Sequence, residues 1–219
     1  MPAPCFRRVP RARTVAGVTD AATTPDDPKV SLHWTLSRLR GILLTKLDGL
    51  GEYDVRRPMT PTGTNLLGLV KHCGSVQLGY FGEVFGRKED WTVPWLEDDA
   101  PDGADMFALA DESRAEIIEF FERTSSHADA TIEELPLDAS GYVPWWPEDR
   151  QRVSLHRVLV HVVQEFARHV GHADIVRETI DGATGNDNAH WTDEDPELWS
   201  TYRRRVEDAA RDAAARYDS

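Results

Sequence analysis

The chain has 219 residues, 40% hydrophobic and 29% charged, which suits one sizeable domain with a core of its own. Its formal net charge of −13 repels phosphate backbones and argues against nucleic acid as a partner. No apolar run is long enough to cross a bilayer, the basic N-terminus lacks the apolar stretch of a secretion signal, and two cysteines, Cys5 and Cys73, make no disulfide framework, so the expectation is a soluble cytoplasmic protein.

Residues 1–28 are rich in Pro, Arg, Ala and Thr without apolar periodicity and read as a disordered basic tail. Leu32, Leu36, Leu39, Leu43, Leu47 and Leu50 then recur at helical spacing, which predicts a first helix from about Val30 to Leu50. Pro58 and Pro61 mark a turn-rich segment. A second helix is expected from about Asn65 to Phe85, with Leu66, Leu69, Val70, Cys73, Tyr80, Phe81 and Val84 as its apolar stripe and Gly86 as its cap. The stretch 87–104, with Trp91, Trp95 and two prolines among acidic residues, reads as a long surface loop. A third helix is expected from Met106 or Ala110 to Leu135, stopped by Pro136. The segment 136–153 reads as a second loop, with Trp145 and Trp146 between Pro144 and Pro147.

The fourth helix is the most pronounced. Ser154 is a good N-cap and Gly182 a good terminator. On a helical wheel Leu155, Leu159, Val162, Phe166, Val170 and Ala173 form the core face, and Arg157, Gln164, Arg168 and Gly171 lie opposite. A final amphipathic helix is expected from Pro196 to Tyr217. No strand-like alternation is evident. The architecture that follows is all-α: a four-helix bundle over residues 29–185, preceded by the tail 1–28 and followed by an extension, 186–219, that carries the extra C-terminal helix.

His161, Glu165, His169 and His172 form one stripe along the fourth helix. Glu165 and His169 fall on the margin of the core face, while His161 and His172 sit nearer the solvent side. A carboxylate on the edge of an apolar face is costly without a compensating cation. Imidazole and carboxylate four residues apart are good ligands for a divalent metal. His72, at the border of the second helix's stripe beside Leu69 and Val76, is the candidate for a further ligand. Equally, Glu165 can pair with Arg168, His161 or His169 without any metal. His33, His127, His156 and His190 have no clustered partners in the sequence. No Ser-His-Asp arrangement, phosphate loop or nucleotide fingerprint competes.

NLLGLVKHCGSVQLGYFGEVFG (65–86) and SLHRVLVHVVQEFARHVGHADIVRETIDGATG (154–185) resemble the two signature helices of the DinB/YfiT-like metalloenzyme superfamily. The nearest branch is the actinobacterial DinB family, or mycothiol transferase-like group. The likeness covers roughly Val30 to Gly185. It implies a bundle of up-down-down-up type and a metal held by one histidine on the second helix and two side chains four residues apart on the fourth. Carried over, these are His72, Glu165 and His169. Glu165 departs from the histidine common at that position but matches the His, Glu, His set of the mycothiol-dependent maleylpyruvate isomerase. The isomerase's additional C-terminal domain is not evident here.

What the resemblance implies is a metal-dependent S-transferase in which a low-molecular-weight thiol of the mycothiol type attacks an electrophilic small molecule. The metal would be zinc, with nickel or iron as alternatives. His161 and His172 would orient a ligand or move a proton, and Trp145 and Trp146 would line the pocket. The other readings are metal-dependent hydrolysis at the same ligands and a non-enzymatic metal-binding module that acts as a homodimer.

Overall fold

A computed structural model describes residues 26–97 and 99–218. The tail expected over 1–28 therefore lies, up to residue 25, outside the described residues, as does Cys5. Helix α1 (Pro28–Thr45) starts where Asp27 accepts hydrogen bonds from the amides of Lys29 and Val30. Asp27 followed by Pro28 is a strong start signal, two residues ahead of the expected boundary. The helix also stops earlier than Leu50: the chain turns after Thr45, and Gly49 takes a left-handed φ of 74°. A short helix α2 (Glu52–Arg56) follows.

Helix α3 (Leu66–Phe81) is capped by Asn65, whose side chain accepts from the Gly68 amide. Its expected extension to Phe85 is a separate single turn over Glu83–Phe85, closed by Gly86 at φ 66°. Helix α4 (Arg114–Glu134) begins at a capping box in which Ser113 and Glu116 satisfy each other's backbone amides. A hairpin joins α4 to the next helix. Its strands, β1 (Ser140–Tyr142) and β2 (Arg152–Ser154), pair antiparallel with Gly141 opposite Val153. This corrects the expectation of an unstructured loop without strands: three residues are too few to show an alternating pattern. Helix α5 (Leu155–Asp181) runs from its Ser154 cap to Gly182, as expected. A short α6 (Trp191–Glu194) precedes α7 (Pro196–Tyr217).

Helices α1, α3, α4 and α5 form the bundle. Gln77 Nε2 on α3 donates to the Phe121 carbonyl and Thr131 Oγ1 on α4 donates to the Phe81 carbonyl, so α3 and α4 run parallel. Arg40 on α1 reaches Asp129, whereas Arg114 reaches the carbonyl of Leu50 beyond the end of α1, so α1 and α4 are antiparallel. His72 meets His169, and Tyr80 meets His161, so α3 and α5 are antiparallel as well. The bundle is therefore up-down-down-up, and the parallel α3–α4 pair requires the long crossover 82–113.

The core is continuous. From α5 it takes Leu155, Val158, Leu159, Val162, Phe166, Val170, Ala173 and Val176, all buried. Each large apolar side chain of this kind contributes roughly 1.5–3 kcal/mol by leaving water. Among the described residues no helix is long and apolar enough to span a membrane.

Candidate functional site

The site lies where α3 and α5 cross. His72 on α3 and His169 on α5 place their rings 4.7 Å apart, edge to face. Glu165, one turn before His169, puts Oε2 3.6 Å from His169 Nε2. The three residues expected from the sequence are thus brought together by opposite helices. His169 is 9% exposed, and its Nδ1 is buried without a hydrogen-bond partner. Burial lowers its pKa from the ordinary 6.5 to about 4, with His72 adding to the effect and Glu165 opposing it. The imidazole is therefore neutral at neutral pH, the form that ligates metals.

His72 is oriented by a residue that the sequence did not single out. Its Nδ1 lies 2.6 Å from Oδ2 of Asp105, in the crossover between α3 and α4. That hydrogen bond holds the Asp105 carboxyl below its usual range. Asp105 is 33 positions from His72, in a segment without periodicity, so no sequence signal pointed to it.

His161, placed by the wheel nearer the solvent side, is half-buried. The Tyr80 ring packs at 4.8 Å and the Trp146 ring at 5.0 Å, because the hairpin folds its loop over that face of α5. Tyr80 Oη accepts from both Trp145 Nε1, at 3.3 Å, and Trp146 Nε1, at 2.8 Å. The two tryptophans thus form an aromatic wall pinned to α3, with Trp145 half exposed at its outer edge. Tyr80 was legible only as a member of the apolar stripe. His172 is exposed, with its ring 5.5 Å from that of His169. Cys73, next to His72, is fully buried, and burial together with the charge of Glu165 pushes its thiol pKa up. It is an inert core residue rather than a nucleophile.

Two histidines outside the stripe pair with carboxylates. His33 bonds Asp129 at 2.8 Å, and His127 Nδ1 lies 2.7 Å from Glu89. Both partners are distant in sequence.

The donor set fits a divalent cation in kind: a neutral imidazole with an unpartnered buried nitrogen, a second imidazole braced by a carboxylate, and a half-buried carboxylate between helices. Among the described residues no group of three or more His, Cys, Asp or Glu side chains is placed so that it could hold a metal ion as it stands.

A family model described as mycothiol-S-transferase matches residues 12–182. No curated protein matches the chain. A solved structure of a conserved protein from Enterococcus faecalis is similar at 16% identity, covering 69% of this chain and 95% of that one, with a TM-score of 0.48. At that score it carries no weight in assigning the fold.

Proposed function

We propose, from the premise that the chain belongs to the mycothiol-S-transferase family, that it is a metal-dependent enzyme joining a low-molecular-weight thiol to an electrophilic small molecule. His72, Glu165 and His169 would hold the metal, with zinc the first choice because it takes nitrogen and oxygen donors and leaves a position open in three-ligand sites. The observation that carries the reading is the meeting of His72 and His169 across α3 and α5, 4.7 Å apart, with Glu165 beside them. Membership of this family supports mycothiol as the thiol.

When bound, a divalent cation supplies the positive charge that favours the ionised over the protonated form of a thiol. The protein's own groups do the rest. To hold the ion, the side chains of Glu165 and the two histidines would have to turn toward one point. His172, exposed beside His169, receives the proton released by the thiol and passes it to solvent. His161 is held neutral by burial, its pKa lowered from 6.5 despite the opposing charge of Glu165. It serves as part of the pocket wall and as a hydrogen-bonding group, not as a cation. Trp145 and Trp146 shield the reacting atoms from water and offer flat apolar surface to the electrophile. The sulfur–carbon bond forms as the carbon's bond to its leaving group breaks.

The test is elemental analysis of protein purified without a histidine tag, coupled to a thiol–electrophile assay. One metal ion per chain is expected, with His169→Ala abolishing it. Conjugation of a model electrophile to mycothiol should run faster with wild-type protein than without it. Wild-type protein that takes up neither zinc, iron nor nickel sinks the reading.

A further inference from the structure

We propose that Asp105 is a positioning residue for the metal site: its carboxylate holds His72 as the Nδ1–H tautomer and thereby makes Nε2 the ligating nitrogen. The inference rests on the metal reading above and names a residue outside the proposed ligand set.

The hydrogen bond is short, 2.6 Å, and both side chains are largely sheltered, at 22% and 24% exposure. An imidazole with one nitrogen donating to a carboxylate has its other lone pair free and directed, the usual second partner of a metal-bound histidine. A solvated surface ion pair would need none of the surrounding structure. Here the segment that carries Asp105 is fastened to α3 at several points. Lys71, the residue before His72, is fully buried, and its Nζ donates to the carbonyls of Ala104 and Phe107 at 2.9 and 3.0 Å. The same Nζ reaches both carboxylate oxygens of Glu112, at 2.9 and 2.8 Å. Asn65 Nδ2 donates to the Met106 carbonyl at 3.1 Å. Gly68 makes the approach possible: a Cβ there would lie 1.9 Å from the Met106 oxygen. The residues flanking Asp105 on both sides thus accept hydrogen bonds from Lys71 and Asn65, one and seven residues before His72. The brace fixes the carboxylate relative to the imidazole, which is what setting a tautomer demands.

Two measurements test this, one of them without metal. In metal-free wild-type protein labelled with 15N-histidine, NMR should show His72 protonated at Nδ1, and Asp105→Ala should shift it toward the Nε2–H form. In competition with a chromophoric zinc chelator, Asp105→Ala should weaken zinc binding about 10- to 100-fold. Asp105→Asn, close in shape and still able to accept from Nδ1–H through its amide oxygen, should keep the tautomer and lose less affinity. Melting temperatures report whether each variant is folded. Nε2–H at His72 in the wild type, or equal zinc affinity for wild type and Asp105→Ala, overturns the proposal. If the wild type binds no metal, the metal reading fails and the ligand role with it. The tautomer measurement separates that failure from a failure of Asp105 to hold His72.

Discussion

His161 is enclosed by an aromatic phenol and an indole, and that enclosure has a pH signature. Burial lowers its pKa from 6.5, Glu165 opposes the shift, and Arg157 adds to it. Above about pH 6.5 the ring is neutral in both folded and unfolded chains, so it contributes no pH dependence there. Below that value the unfolded chain takes up a proton that the folded protein still refuses. The unfolded state then binds more protons, and stability falls as pH drops from 6.5 toward the lowered folded value. Because the ring is only half-buried the effect is small. Melting temperature should decline more between pH 7.5 and pH 5 in wild type than in His161→Phe, and parallel curves would show that the ring is not desolvated as described. Gly68 carries a second residue-scale prediction. A methyl group 1.9 Å from a backbone oxygen cannot be relieved by a rotamer change. Gly68→Ala should cost about 3 kcal/mol in urea unfolding, and an unchanged midpoint would mean that the crossover does not approach α3 as closely as drawn.

At the scale of elements the crossover 82–113 is the part least expected from sequence and most used by the site. Its polar anchor is the Lys71–Glu112 pair, with side chains 1% and 19% exposed. Glu112→Gln leaves the buried ammonium with carbonyl partners and the Trp95 ring, 4.1 Å away, but no charged partner, and should destabilise the protein by about 3 kcal/mol. Denaturant unfolding checks the value, and a loss below about 1 kcal/mol would place the pair among ordinary surface bridges. The contrast with α5 explains what was legible. Ser154, Gly182 and an uninterrupted apolar period define that helix locally, and the same period puts Glu165 and His169 at the edge of its core face. His161 was misplaced because a wheel describes one helix alone. What covers that ring comes from the Trp145–Trp146 loop and from Tyr80 on another helix. The three-residue strands are held by pairing rather than by pattern. Asp105 is invisible for the same reason: its position is decided by Lys71, Asn65 and Gly68, none of which is near it in sequence.

Across the whole molecule, burial is concentrated in the four long bundle helices and is absent from the C-terminal end. No side chain of α7 is buried, and Leu198, Tyr202, Val206 and Tyr217 are all more than half exposed. The helix is held by its own backbone bonds, by the Asp195 cap and by local pairs such as Arg211 with Glu207 at 2.8 Å. The chain before it is different. Lys46, fully buried on the α1 side, bonds Asp174 at 2.9 Å and also reaches the Gly185 carbonyl, and Asn188 Nδ2 donates to the Thr45 carbonyl at 2.7 Å. Gly185 and Asn188 thus bond the end of α1, and Lys46 Nζ also donates to Asn188 Oδ1 at 3.1 Å. Truncation before Asp195 should change melting temperature and zinc affinity little, since no residue of α7 is buried. Truncation before Gly185 should lower the melting temperature, because the buried Lys46 ammonium loses the Gly185 and Asn188 oxygens and keeps only Asp174. Calorimetry on the two truncated proteins decides it. Equal melting temperatures would mean that the 183–189 segment is not part of the folded unit, and a large loss from the shorter truncation would mean that α7 docks on the bundle in solution.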